Sequence, residues 1–350
     1  MTADPRFDLT PYFKSMYNRA EKSLSVRGGS ASELLSSQEL LRQKLREVFA
    51  LDIYGPRDTL PGAELLYREP RDGYSLEKFA LSIAPELTVP VYVLLPDSVK
   101  DGKKPPCAIA LSGHGRGVCD ILDIPDVWDR PAGGDYMKRF PIELCRRGIA
   151  VVAPEIIGFG ESRLFGHMDK NKNGGACDSV SGMSLLWGGN AGGLRLFEAQ
   201  RVLDWFLNLE SVDGGRLGCM GISGGGTVAT HLAAVDLRVR AAVVSGYANL
   251  YRDSIYAMHH CIDNYTPGML RWAELPDVLA LIAPRPLIIS SGSEDRIFPV
   301  SATREAESIL RPIWKTFGAE EKLMFDYFEG GHMISGPVLF DGMKDMLESL

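Results

Sequence analysis

Three things are scarce in this chain of 350 residues: an excess of basic charge, cysteines in ordered pairs, and long uncharged stretches. Lys plus Arg is 38 against 45 Asp plus Glu, a formal net charge of −7. No basic stripe is left to neutralise phosphates, which excludes nucleic acid as the main ligand. The six cysteines (Cys107, Cys119, Cys145, Cys177, Cys219, Cys261) are scattered. Their spacing matches no zinc pattern, and His259-His260 before Cys261 lacks the i,i+4 geometry of a helical metal pair, so no metal and no cofactor is expected. Met1 to Leu9 is polar and no apolar signal core follows it, so the expectation is a cytoplasmic chain with reduced thiols. One stretch, Leu217–Val235, runs 19 residues without Asp, Glu, Lys or Arg. It carries Gly218, Gly221 and the consecutive Gly224, Gly225 and Gly226, each of which costs about 1 kcal/mol of helix propensity relative to alanine. Two buried elements joined by a sharp turn are expected there, and no membrane span.

What the chain does have is ordinary globular material, 45% apolar and 24% charged, with 37 glycines that cluster. A chain this long buries about 75% of its extendable surface, enough for a large core. Residues 1–60 read as a helical segment packing on the core. Within them, Gln38–Phe49 places its apolar residues on one helical face, and Arg27-Gly28-Gly29-Ser30 reads as a loop. The period then changes. Phe79–Ile83 and Val89–Leu95 predict an antiparallel strand pair.

Short apolar runs follow at Cys107–Leu111, Ile149–Ala153, Leu217–Ile222, Ala241–Val244, Leu287–Ser290 and Met324–Phe328. Helical patterns fall between them at Tyr136–Arg147, Leu194–Leu209, Thr227–Ala234 and Ser301–Phe317. Apolar strands separated by helices predict an α/β fold over 61–350, with a mainly parallel sheet between helix layers. Two stretches break the alternation, Leu164–Gly193 and Tyr247–Pro286. They are expected to wall a ligand pocket, with Trp187 and Tyr247 as candidate lining residues.

The sharpest chemical signal is Gly221-Ile222-Ser223-Gly224-Gly225. It follows an apolar strand and precedes a helix, the strand–turn–helix that exposes a serine at a strained tip. A serine hydroxyl is a poor nucleophile until a base takes its proton. Of six histidines, His332 alone lies beyond the fifth apolar run and its loop, in Phe328-Glu329-Gly330-Gly331-His332. The orienting carboxylate is expected just past Ser290, at Asp295, with Glu294 as the alternative. For a developing oxyanion the expected donors are the N–H groups of Gly224 and Arg116, with Gly115 a close substitute for the latter. His114 and His231 are expected to be structural.

With these residues in place the chain resembles the α/β-hydrolases, and within them the dienelactone-hydrolase-like and acetyl-xylan-esterase-like group. Val89–Pro96, the His114-Gly115 turn, the Ser223 elbow, Asp295 and His332 carry the likeness, which extends from about residue 75 to the C-terminus. The resemblance implies an α/β-hydrolase fold with helices on both faces and an added N-terminal helical segment. It also implies a serine carboxylesterase acting on small-molecule esters, acetyl esters included, through an acyl-enzyme. Two departures matter. Dienelactone hydrolases place Cys where Ser223 stands, and carbohydrate acetyl esterases of this group usually have Gln where Gly224 stands. A lactone or peptide hydrolase on the same three residues and a non-catalytic ligand-binding protein on this scaffold are the alternatives; homo-oligomerisation is left open.

Overall fold

The computed structural model describes residues 4–133, 135–168, 172 and 174–350. Among them nine strands form one sheet: β1 Gly62–Arg71, β2 Tyr74–Ala84, β3 Leu87–Pro96, β4 Pro106–Leu111, β5 Ala150–Pro154, β6 Asp213–Ile222, β7 Ala241–Ser245, β8 Leu287–Gly292 and β9 Leu323–Phe328. The helices, in chain order, are α1 Thr10–Arg19, α2 Ala31–Val48, α3 Cys119–Leu122, α4 Phe140–Arg146, α5 Phe165–Met168, α6 Cys177–Leu186, α7 Ala191–Phe206, α8 Gly224–Val235, α9 Leu275–Ala280, α10 Val300–Thr316 and α11 Pro337–Glu348. The spatial order of strands is β1-β2-β3-β5-β4-β6-β7-β8-β9. The pairs from β1 to β5 are antiparallel, and those from β5 through β4 to β9 are parallel.

The central strands β5, β7 and β8 are buried along their whole length. They read as unbroken apolar runs because helices cover both faces of the sheet. On one face Leu41 and Leu45 of α2, Phe197 and Leu203 of α7, Leu232 of α8, Leu279 of α9 and Trp314 of α10 share a core. On the other face Ile121 of α3, Phe140 and Leu144 of α4, and Met343 and Leu347 of α11 fill a second one. Each fully buried leucine contributes roughly 1.5–3 kcal/mol. The helical segment at the N-terminus is anchored through α2, whose start is fixed by a capping box. Ser30 Oγ accepts from Glu33 N–H at 3.4 Å, and Ser30 N–H donates to Glu33 Oε2 at 2.7 Å.

The short α3, α5 and α9 and the longer α6 lie outside the predicted set, as do β1 and α11. β1 is almost wholly exposed and pairs only with β2. Being an edge strand it needs no apolar alternation, and it tolerates Pro70 near its end. α11 closes the chain with Leu339, Phe340, Met343 and Leu347 buried. The helix expected over Tyr136–Arg147 begins only at Phe140, because Lys138 and Arg139 take positive φ values of 47°.

The strand order reverses between β4 and β6, since β4 leads on to β5 at one side and β6 to β7 at the other. In such sheets ligands bind beyond the carboxyl ends of the strands at that reversal. Leu111 and Ile222 end β4 and β6 there, so the 112–117 loop and Ser223 stand side by side. Among the described residues no helix is long and apolar enough to cross a membrane.

Candidate active site

Ser223 occupies the turn between β6 and α8 with φ 55° and ψ −124°, a conformation that residues with side chains seldom adopt. Its N–H donates to the Ser245 carbonyl at 3.1 Å, and its carbonyl accepts from Thr227 N–H at 2.9 Å, so strand and helix together hold the turn. The flanking glycines are steric requirements. A Cβ on Gly221 would stand 2.2 Å from the Gly225 carbonyl oxygen, and one on Gly225 would stand 2.0 Å from the Leu111 oxygen. Gly224 opens α8, so its N–H has no acceptor within the helix and lies at the positive dipole end.

His332 lies in the loop after β9 and Asp295 in the loop after β8. His332 Nδ1 and Asp295 Oδ2 are 2.8 Å apart. The other oxygen of Asp295 accepts from Ile297 and Phe298 N–H at 2.8 and 2.9 Å. Burial opposes ionisation of this carboxyl most strongly, but the hydrogen bond and charge of His332 and the N–H groups of Phe298 and Ile297 together outweigh it and hold the group below the usual range. Glu294, the alternative, is exposed and points its side chain to no partner among the described residues. The imidazole is stacked between Phe298, with centroids 5.7 Å apart, and Tyr136, 6.1 Å away. Its Nε2 is buried and has no hydrogen-bond partner among the described residues. Ser223 and His332 line one cleft of about 470 Å³, together with His114, Tyr136, Gly224, His259, His260, Cys261 and Phe298.

A family model described as the Abhydrolase family matches residues 30–309. The chain belongs to the Abhydrolase family. It is 24% identical over 299 residues to a Bacillus subtilis (strain 168) protein provisionally named as a hydrolase, YtaP, covering 80% of this chain and 90% of that one. In fold it is similar to a crystal structure of a Bacteroides fragilis protein provisionally assigned as an acetyl xylan esterase. That match has TM-score 0.77 and 20% identity, covering 93% of this chain and 84% of the other. A glucuronoyl esterase from Solibacter usitatus matches with TM-score 0.62 and 15% identity, covering 88% and 91%. By family the protein is a hydrolase with the α/β-hydrolase fold.

Within this Abhydrolase-family chain three expected residues stand elsewhere. The Arg116 N–H donates to Asp120 Oδ2 at 3.0 Å and is not free for an oxyanion. Its guanidinium is tied to the same carboxylate, so the loop is locked with this amide turned away. Trp187 caps the end of α6 and is 81% exposed, outside the cleft lining. Tyr247 is wholly buried beneath the cleft floor, edge-on to His231 and tilted against Phe298. Of the two expected pocket walls, 247–286 supplies Met258 to Cys261 and Asn264 to the cleft lining. In 164–193, residues 169–171 and 173 lie outside the described residues.

Sequence reasoning missed a second polar cluster beside the same cleft. His114 Nε2 and Asp263 Oδ2 are 2.9 Å apart, and the buried Arg195 donates to that oxygen and to Cys177 Sγ. Burial works against charge on His114, yet Asp263 and Cys177 together outweigh it and lift the imidazole to about 9. Burial likewise opposes ionisation of Asp263, but Arg195 and His114 hold its carboxyl well below the usual range. The neighbouring Cys261 thiol is the main influence pulling the Cys177 thiol down, and the same contact pushes Cys261 up. His114, Cys177, Cys261 and Asp263 could together hold a metal ion. The three segments that carry them share no spacing motif, so no signal in the sequence marks them as a group.

Proposed function

We propose that the protein is a serine carboxylesterase that cleaves small carboxylic esters, acetyl esters included, in two steps. Ser223 Oγ attacks the ester carbonyl carbon while His332 Nε2 takes its proton. The alcohol leaves with that proton, and an acyl-enzyme remains on Ser223. Water, deprotonated by His332, then attacks the acyl carbonyl and the carboxylic acid is released. Asp295 keeps the proton of the neutral imidazole on Nδ1 and stabilises the imidazolium that forms. The Gly224 N–H and an amide of the His114-Gly115 turn receive the oxyanion; each such donor typically accounts for ~10²–10³ in kcat.

One observation carries the reading: an imidazole held by Asp295, its Nε2 left without a partner among the described residues, lines the same cleft as a strained serine. The structural neighbours named as acetyl xylan and glucuronoyl esterases support an ester attached to a carbohydrate as the substrate class.

A fluorophosphonate probe tests the nucleophile, and a substrate panel tests the bond. Labelling of the wild-type chain that Ser223→Ala abolishes is expected, with turnover of p-nitrophenyl acetate or butyrate exceeding that of lactones and aminoacyl amides. Absence of labelling favours a binding protein, and faster turnover of amides removes the esterase reading.

A further inference from the structure

Four side chains of the kinds that bind zinc converge at one wall of the cleft. His114 comes from the loop after β4, Cys177 from the first position of α6, and Cys261 and Asp263 from the segment between β7 and α9. One ligand atom from each (an imidazole nitrogen, two thiol sulfurs, a carboxylate oxygen) lies within 4.8 Å of all the others. With Zn–S near 2.3 Å and Zn–N or Zn–O near 2.0–2.2 Å, the ligand atoms of a tetrahedral site stand roughly 3.3–3.8 Å apart. Cys177 Sγ and Asp263 Oδ2 are 3.5 Å apart, within that span. His114 Nε2 and Asp263 Oδ2, at 2.9 Å, need a displacement of a few tenths of an ångström.

We propose that His114, Cys177, Cys261 and Asp263 form a structural zinc site that ties the 258–264 wall of the cleft to the loop beside Ser223. Two thiolates, one imidazole and one carboxylate are a donor set that favours zinc over magnesium or calcium, which take oxygen ligands. Side chains behind the ligands are in place to orient them. Arg195 donates to Cys177 Sγ at 3.2 Å and to Asp263, and Asn264 Nδ2 donates to Asp263 Oδ1 at 2.8 Å.

The competing account is an ion-pair network complete without metal, since Arg195 already neutralises Asp263. That account gives no reason for a second thiol. Cys261 lies on a different segment from Cys177, yet its sulfur is brought within the same 4.8 Å group. Charge does not oppose the ion either. Zinc ligands bind deprotonated, so the ion replaces protons on the cluster and the charge facing Arg195 stays nearly balanced. The site does not rest on the proposed reaction, because neither Ser223 nor His332 belongs to it.

The full-length chain, stripped with a chelator and kept reduced with a phosphine, is titrated with Zn²⁺ and separately with Co²⁺. One zinc per chain is expected by atomic emission after dialysis. The cobalt form should show sulfur-to-metal charge-transfer absorbance and the intense visible bands of tetrahedral coordination. Cys177→Ser and Cys261→Ser should each lose the retained zinc, while Cys219→Ser, a buried thiol away from the cluster, keeps it. The cobalt spectrum of the unsubstituted chain decides the matter even where a serine variant fails to fold. Substoichiometric zinc, a cobalt spectrum without thiolate bands, or retention in both cluster variants means an adventitious ion only and overturns the site. A disulfide between Cys177 and Cys261 in the untreated protein, seen as two missing thiols on titration of the unfolded chain, overturns it too.

Discussion

His332 Nδ1 stands 2.8 Å from Asp295 Oδ2, and the glycine at position 246 is what lets the ring lie there. Gly246 has φ 53°, and a Cβ on it would come within 2.9 Å of His332 Cε1 and 3.1 Å of Nδ1. The imidazole therefore rests against bare backbone on one side, with Tyr136 and Phe298 stacked along its faces. Each restraint comes from a different part of the chain, and together they fix the ring at the edge of the cleft, with Nε2 left unpartnered among the described residues. Sequence distance becomes chemistry at this point: a loop after β9 meets a loop after β8 over the turn after β7.

Asp295→Asn tests the electrostatic half of this relationship. The amide can donate to Nδ1, which leaves the imidazole proton on Nε2 and removes the lone pair that Ser223 needs. On p-nitrophenyl acetate kcat should fall by about 10⁴ with KM little changed, as expected for a tautomer held the wrong way. A loss below tenfold in a folded variant would show that this carboxylate does not orient the base.

Gly246→Ala tests the steric half. The added methyl displaces the ring without touching its charge, and a shift of about 1 Å in a reacting group costs on the order of 10²-fold in rate. The expected result is a kcat loss of that order with fluorophosphonate labelling slowed in step. Unchanged kinetics would mean that the ring has room to retreat and that its position is not set by residue 246.

Much of this framework is legible in the sequence. The apolar runs at 107–111, 149–153, 217–222, 241–244 and 287–290 became β4 to β8 because doubly covered strands leave an unmistakable hydrophobic trace. The positions of Ser223, Asp295 and His332 followed from strand ends, which is where this topology puts loops. What stayed hidden had no periodic or local signature. β1 is an exposed edge, so its pattern is polar. Arg116 lost its amide to Asp120, a contact decided by the shape of a loop. Trp187 and Tyr247 are aromatics in irregular stretches, and aromatic character says nothing about which way a ring faces. The His114–Asp263–Arg195 cluster joins three distant segments, and only tertiary structure reveals it.

The glycines around the site separate into those that fill a steric need and those that do not. Gly225→Ala drives a methyl against the Leu111 carbonyl, which belongs to β4 and cannot give way cheaply. Destabilisation beyond about 3 kcal/mol is expected, seen as loss of soluble protein or a collapse of Tm. Gly331→Ala, immediately before His332, meets nothing within 4 Å. It should stay within ~0.5 kcal/mol of wild type. Equal tolerance at both positions would contradict the elbow geometry.

Glu198 should contribute stability that is lost as pH rises from about 4.3 to 8. Burial pushes its carboxyl up to about 8, while Ile157 N–H donates to Oε2 at 3.0 Å and Oε1 has no partner among the described residues. In the unfolded chain a glutamate releases its proton near pH 4.3. Between those two values the folded chain holds a proton that the unfolded chain has lost, so the free energy of unfolding declines with pH, by a few kcal/mol in order of magnitude. The contribution is fully present below about pH 4.3 and gone once pH passes through the folded value. Glu155, also buried and raised to about 8, titrates over the same window. Glu198→Gln keeps an acceptor for Ile157 N–H but removes one of the two protons. Any cost of seating the amide is the same at every pH, so the diagnostic is the slope and not the offset. Melting temperatures taken at pH 5, 6, 7 and 8 should show a less negative slope for the variant than for wild type. Parallel curves would mean that Glu198 is ionised in the folded protein throughout, and that its burial is compensated by a partner other than the proton.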